Sequence, residues 1–281
     1  MRFDDRVTGN LAKYAKQAKI IHIDIDAAEL NKNVDVDVAI KSDAKSALNA
    51  LLPLLNEKRY DNWLQSFREL DEIEYEKVIK KECHPETGKI KMGEVVNKLS
   101  ERTNGDAIVV TDVGQQQMLA ARYFKFSEPN AFITSGGLGT MGFGLPAAVG
   151  AKVGRMDKTV FAFVGDGGFQ MTIQELGTLL ALKLPVKIIV FNNNFLGMVR
   201  QWQDMFFDKR YASTEMITPD FPGIAKSYGI AGEVISTREE LDAAMERMLK
   251  HEGPYLLEIK IEKEANILPM MPPGASVAEL R

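Results

Sequence analysis

The sequence holds a single cysteine, Cys83, and only three histidines, His22, His84 and His251, among its 281 residues. One cysteine excludes an intrachain disulfide and fits a reducing cytoplasm. The histidines share no spacing with each other or with Cys83 that would build a zinc site. No apolar run approaches the roughly 20 residues that cross a bilayer. The opening Met1-Arg2-Phe3-Asp4-Asp5-Arg6 carries no apolar signal segment. A basic excess is also missing. The formal net charge is −4, which argues against a nucleic-acid partner, because phosphate backbones call for a basic face. Repeats and low-complexity tracts are absent too. What is present, 45% hydrophobic and 26% charged residues, is the composition of a soluble globular chain long enough for a sizeable core.

Three zones follow along the chain. In residues 1–55, Lys19 to Asp26 reads as a buried strand, and Ala44 to Leu55 as an apolar helix opened by the cap residues Ser42 and Asp43. So short a stretch has too few strands for a sheet of its own and reads as the tail of an α/β domain. Residues 56–84 carry eight acidic and six basic side chains around Trp63, Leu64, Phe67, Leu70 and Ile73. That apolar spacing is helical, so the zone reads as a helical linker with a solvated charged face. From residue 85 to 281 helix and strand patterns alternate. Met92–Arg102, Gln116–Phe124, Thr172–Leu182 and Leu241–Leu249 read as helices, and Ala107–Thr111, Thr159–Val164, Val186–Phe191 and Tyr255–Ile261 as strands. These strands are continuous apolar runs, as expected when helices cover both faces of a mostly parallel sheet in an α/β domain.

Ligands of such sheets sit beyond the carboxyl ends of the strands. Three loops there are rich in Gly, Asp, Asn and Gln. Thr111-Asp112-Val113-Gly114-Gln115-Gln116-Gln117 joins a strand to a helix, whose exposed N–H groups suit a phosphate. Gly165-Asp166-Gly167-Gly168-Phe169-Gln170-Met171 follows a strand and places one carboxylate among glycines that let a ligand approach the backbone. Asn192-Asn193-Asn194 follows the next strand with three oxygen-bearing amides. Each alone is compatible with an ordinary turn. Together, Asp166 and Asn193 lie 27 residues apart, the length of one strand–helix–strand crossover. Two oxygen ligands emerging from adjacent strands suit Mg²⁺ shared with a ligand's diphosphate.

This pair resembles the binding signature of thiamine-diphosphate enzymes. The resemblance implies that Asp166, the Asn193 side chain and the Phe195 carbonyl hold Mg²⁺, and that Val113, Gly114, Gln115, Gln116, Gly139, Met141, Gly165, Gly167, Gly168, Met171, Leu196, Gly197 and Met198 surround thiamine diphosphate. Ser135-Gly136-Gly137-Leu138-Gly139-Thr140-Met141-Gly142-Phe143-Gly144-Leu145-Pro146 is similar to the loop that cradles the thiazolium ring, with Met141 as the apolar wedge that bends the cofactor. Gly197-Met198-Val199-Arg200-Gln201-Trp202-Gln203 resembles acetolactate synthases in particular, in which the tryptophan shapes the pocket for the second 2-keto acid. Ile267-Leu268-Pro269-Met270-Met271-Pro272-Pro273-Gly274 looks like that family's C-terminal segment, which folds over the active site. Arg2-Phe3-Asp4-Asp5-Arg6-Val7-Thr8-Gly9 and His22-Ile23-Asp24-Ile25-Asp26 look like the end of its central FAD-binding domain.

The likeness covers essentially the whole chain, and it implies a set of expectations. Residues 1–55 are a remnant of the FAD domain, with Asp24, Ile25, Asp43 and Ala44 lining a FAD that does no net redox work. Residues 85–281 are the diphosphate-binding domain. Arg6 faces a substrate carboxylate and acts in catalysis with Met141 and Trp202. The reaction decarboxylates pyruvate and joins the two-carbon unit to a second pyruvate or to 2-ketobutyrate, in branched-chain amino acid synthesis. A cytoplasmic homo-oligomer, with a small regulatory subunit in the full enzyme, is expected. Two departures stand out. Gln116 replaces a histidine beside the diphosphate, and the pyrimidine-binding domain with its activating glutamate is missing. Another thiamine carboligase, a pyruvate oxidase-like enzyme or a catalytically silent binding module are the rival readings.

Overall fold

The fold is described from a computed structural model covering residues 3–270, 272, 274–276 and 279, without the side chain of Arg6. The chain divides into two compact units, Met1–Phe67 with Leu268–Arg281, and Arg68–Ile267.

The first unit contains helix α1 (Asp5–Thr8), strands β1 (Ile21–Asp24) and β2 (Val38–Lys41), helix α2 (Ala44–Leu51) and the start of helix α3 (Asp61–Glu74). The two strands are parallel and make a two-stranded sheet. Asp43 caps α2, its carboxylate accepting the Ser46 N–H at 2.9 Å. The helix expected to reach Leu55 ends at Leu51 and tightens into a 3₁₀ turn over Leu52–Leu54, where Pro53 has no N–H to continue the ladder. The strand read as buried is only partly so. His22 is covered, but Ile21 is 61% and Ile25 71% exposed, because a two-stranded sheet offers too few neighbours to cover both faces. Residues 56–84 are helical for most of their length, α3 passing through a π turn (Tyr75–Ile79) into α4 (Lys80–Cys83). Its apolar stripe of Trp63, Leu64, Phe67, Leu70 and Ile73 is exposed along with the charges.

The second unit holds α4 followed by α5 (Met92–Arg102), β3 (Ala107–Thr111), α6 (Gln115–Tyr123), β4 (Phe132–Thr134), α7 (Gly144–Gly154), β5 (Thr159–Gly165), α8 (Asp166–Met171), α9 (Leu176–Leu182), β6 (Val186–Asn192), α10 (Gly197–Phe206), α11 (Phe221–Ser227), β7 (Ala231–Ile235), α12 (Arg238–Lys250) and β8 (Tyr255–Lys260). The six strands form one wholly parallel sheet in the order β4-β3-β5-β6-β8-β7. The continuous apolar runs are explained by alternation between two cores. Phe161 and Phe163 of β5 face α5, α6 and α12, while Val160, Ala162 and Val164 face α7, α9 and α11. The expected α/β architecture is therefore observed. Among the described residues no helix is long and apolar enough to cross a membrane.

One expected boundary moves in a way that matters. The stretch read as a loop before Thr172 forms a short helix from Asp166 to Met171, directly off β5, and the helix read from Thr172 opens as a 3₁₀ turn (Ile173–Glu175) and becomes α-helical only at Leu176. Gly167 and Gly168 weaken a helical pattern in sequence. They are tolerated here because close neighbours need the space: a Cβ on Gly168 would lie 2.6 Å from Asp112 Oδ1.

Candidate functional site

The order of the strands positions the site. The connection leaving β3 runs through α6, on one face of the sheet, to β4. The connection leaving neighbouring β5 runs through α8 and α9, on the other face, to β6. Oppositely directed loops open a crevice at the carboxyl ends of the two strands. A cavity lies there, walled by the ends of β3, β5 and β6 and by the Met141 loop.

From the β3 loop come Val113, Gly114, Gln115 and Gln116; from the β5 end come Gly165, Asp166, Gly167 and Gly168. The β6 end adds Asn193, Phe195, Leu196, Gly197 and Met198, and the Met141 loop adds Gly139 and Met141 itself. These residues, drawn from four separate loops, are brought together as the sequence suggested. Met92, Phe191 and Val199 also line the cavity. Met92 and Phe191 read in sequence as ordinary core, whereas Val199 falls within the Gly197–Gln203 motif.

Asp166 is the chemical centre of this cavity. It is 1% exposed. One carboxylate oxygen, Oδ1, accepts the Gly167 N–H at 2.9 Å, while Oδ2 is buried with no hydrogen-bond partner. Burial raises the carboxyl from 3.8 to about 6, against the opposing pull of the Gly167 and Asn194 N–H groups. An orphaned buried carboxylate oxygen is costly unless a cation or donor completes it. β5 and β6 are paired in register, with Gly165 opposite Phe191, so Asp166 and the asparagine run leave the sheet side by side.

The three asparagines divide the labour. Asn192 donates to Glu258 at 2.7 Å and to Thr218 at 3.0 Å, and Asn194, at φ 57°, donates to Thr218 at 3.2 Å. Both amides are spent on shaping the turn. Asn193 alone lines the cavity, its oxygen accepting the Phe195 N–H at 3.0 Å. A short antiparallel bridge between Phe195 and Glu215 steadies this turn. Among the described residues no three His, Cys, Asp or Glu side chains gather as a metal cage. A cation here would therefore rely on one carboxylate with amide, carbonyl and ligand oxygens, the coordination Mg²⁺ favours.

Two helices of adequate length, α6 and α10, begin at the cavity wall with no side-chain cap on their first turns. Their free N–H groups suit an anion such as a diphosphate. Gln116 folds back across this wall: a Cβ on Gly114, at φ +152°, would meet its Oε1 at 2.6 Å. The Gln115 side chain is engaged elsewhere, donating to Gln201 and to the Ala265 carbonyl, both at 2.9 Å. Gln201 in turn clasps the Ile267 backbone, donating to its carbonyl at 2.7 Å and accepting its N–H at 2.8 Å.

Other expected residues fall elsewhere. Met171 does not line the cavity; its side chain is 54% exposed, because α8 ends there and turns it outward. Trp202 lies in a neighbouring groove with Gln203, Phe207 and Arg210, and only Val199 is shared between the two. Asp24, Ile25, Asp43 and Ala44 belong to the first unit. They cluster at the carboxyl ends of β1 and β2, where Asp24 is opposite Lys41. The Asp24 carboxyl is held below its ordinary value chiefly by the Asp26 N–H. Arg6 falls in α1, but its side chain is outside the described residues, as are Met271 and Pro273 of the C-terminal segment.

Residues 112–259 match the family described as thiamine pyrophosphate enzyme, C-terminal TPP binding domain, and residues 1–51 match the thiamine pyrophosphate enzyme central domain. The chain belongs to the thiamine pyrophosphate enzyme family. Its relatives include the acetolactate synthase isozyme 2 large subunit of Escherichia coli K12, 47% identical over 99% of this chain and 50% of that protein. The acetolactate synthase large subunit of Lactococcus lactis is 43% identical over 99% of this chain and 48% of its own length. Acetolactate synthase 1, chloroplastic, of Nicotiana tabacum is 42% identical over 100% and 43%. The chain spans about half the length of these curated relatives.

Proposed function

We propose that this chain is the thiamine-diphosphate-binding part of an acetolactate synthase. The observation that carries the reading is the buried, unpartnered oxygen of Asp166, set beside Asn193 where two uncapped helices begin. Asp166, Asn193 and the Phe195 carbonyl would hold Mg²⁺. The first turns of α6 and α10 would face the diphosphate, and Met141 would lie against the thiazolium. When bound, thiamine diphosphate supplies the electron sink for decarboxylating pyruvate and for joining the two-carbon unit to a second 2-keto acid. The protein's own share is to neutralise the diphosphate, orient the ring and keep water from the cavity. Pyruvate and 2-ketobutyrate are the substrates in this reading. Trp202 and Arg6 serve the substrate side, and Asp24, Ile25, Asp43 and Ala44 serve a FAD. The full enzyme would be a homo-oligomer with a small regulatory subunit, working in branched-chain amino acid synthesis.

Calorimetric titration with thiamine diphosphate, with and without Mg²⁺, tests the cofactor half of the reading. Binding that requires Mg²⁺ is expected; binding indifferent to the cation would overturn the assignment of Asp166 and Asn193. Supplying in trans the part of a relative that this chain does not span, and measuring acetolactate formed from pyruvate, tests the reaction. A pH dependence also follows. Below about 6, where the buried Asp166 carboxyl takes up a proton, protons and cation compete for the same oxygen. Apparent Mg²⁺ affinity is expected to fall about tenfold per pH unit below that point and to level off above it. A flat profile between pH 5 and 7 would contradict a metal ligand at Asp166.

A further inference from the structure

We propose that Asp112 and Thr172 are positioning residues that together hold the Met141 loop against the cofactor cavity. The inference rests on the functional reading above and adds to it how the wedge is kept in place. Asp112 directly follows β3 and is fully buried. Its carboxylate accepts three backbone N–H groups: Val113 at 2.8 Å and Gly142 at 3.1 Å on one oxygen, Gly144 at 2.8 Å on the other. The last two flank Phe143, and Gly142 immediately follows Met141.

The carbonyl of the same glycine is also held. Thr172 donates its hydroxyl to the Gly142 carbonyl at 3.1 Å. Gly142 is at φ +87°, and a Cβ there would come within 3.1 Å of Met171 and 3.2 Å of Thr172. Only glycine fits between the two anchors without a shift. The break after α8 falls at Thr172, and it is there that the Thr172 hydroxyl meets Gly142.

The preceding stretch has a different character. Gly139 donates to the Ser135 carbonyl and Thr140 to the Ser135 hydroxyl, both at 3.1 Å, and Leu138 is 94% exposed. Met141 thus stands between a turn bonded mainly to itself and a glycine fixed at both its N–H and its carbonyl. Since α8 begins at Asp166 and ends beside Thr172, the metal-side carboxylate and the Met141 anchor are two ends of one short helix.

The test compares two ligands at saturating Mg²⁺, thiamine diphosphate and inorganic pyrophosphate, which lacks the rings that Met141 would meet. Asp112→Asn offers one acceptor oxygen and one amide that cannot accept, so one anchored N–H is left unpaired. Asp112→Asn and Thr172→Val are each expected to weaken thiamine diphosphate about tenfold while leaving pyrophosphate within about twofold. Met141→Ala should erase the same preference, and adding Asp112→Asn to it should cost nothing further. Amide exchange at Gly142 and Gly144 should rise in Asp112→Asn while the amides of β5 stay protected.

Equal weakening of both ligands in Asp112→Asn would show general support of the cavity and overturn the inference. So would losses that add independently to those of Met141→Ala. Failure of the unaltered chain to bind either ligand would instead sink the functional reading itself, and the inference with it.

Discussion

Replacing Asp166 by asparagine is expected to abolish Mg²⁺-dependent thiamine diphosphate binding and, at the same time, to stabilise the ligand-free fold. The two effects have one cause. The carboxylate is 1% exposed, and one of its oxygens has no partner. Holding it ionised at neutral pH therefore works against folding. The rise from 3.8 to about 6 corresponds to roughly 3 kcal/mol at pH values above both. Between about 4 and 6 the folded chain keeps a proton that the unfolded chain has released. This group's contribution to stability therefore falls as pH rises through that window, and it stays constant above it. Asparagine removes the charge but leaves an amide to satisfy, so a net gain of about 1–2 kcal/mol is expected at pH 7.5 and little at pH 4. Binding should suffer in the other direction, by about 100-fold or more, the scale of a lost charge-assisted contact. Urea unfolding at the two pH values, beside calorimetry with Mg²⁺, checks both signs. A variant that is destabilised at pH 7.5, or one that binds with Mg²⁺ as tightly as the unaltered chain, would mean that Asp166 serves the fold rather than a cation.

That the cavity could be anticipated at all comes from features with short range along the chain. The β5 run Val160 to Val164 shows its burial in consecutive apolar residues. The separation of Asp166 from Asn193 reflects one crossover, because β5 and β6 are sheet neighbours. Features made by contacts between distant segments leave no such trace. That Asn193 faces the cavity while Asn192 and Asn194 do not depends on Thr218 and Glu258, 24 to 66 residues away. Gln115 lines the cavity as its position suggests, but that its amide is taken by Gln201 and Ala265, at separations of 86 and 150, leaves no trace in the local sequence. Met171 lies outside the cavity for a local reason that the residue pattern hides. The chain leaves helical geometry at Thr172, where φ is −134°, so Met171 ends a short helix formed by a stretch that reads in sequence as a loop. The partly exposed β1 strand misled in the same way, since an apolar run states what a strand can bury and not which neighbours it has.

Arg238→Ala is expected to destabilise the six-stranded unit by about 3–5 kcal/mol, the cost of stripping the partner from a buried ion pair. Glu94 lies in the first turn of α5 and is 2% exposed. Both its oxygens accept from Arg238 Nε, at 2.9 and 3.1 Å, across 144 residues of sequence. The same guanidinium donates to the Gly88 and Lys89 carbonyls at 3.1 and 2.9 Å. One side chain thereby ties the start of α12 both to α5 and to the loop that leads into it. Removing it leaves the buried Glu94 carboxylate without its cation, while the carbonyls of the exposed Gly88 and Lys89 lose a donor that water can partly replace. Neighbouring Asp242, which receives Lys98 and Arg102, is 59% exposed; its loss is expected to cost no more than about 1 kcal/mol. The contrast between the two clusters separates burial from mere charge pairing. Each unit holds one tryptophan, Trp63 in the first and Trp202 in the second. Trp202 fluorescence in a Trp63→Phe background therefore reports unfolding of the six-stranded unit alone. Converting both partners, Glu94→Leu with Arg238→Leu, should recover most of the loss, because no uncompensated charge then remains buried. A double variant as unstable as Arg238→Ala would instead assign the loss to the Gly88 and Lys89 carbonyls, which leucine cannot serve.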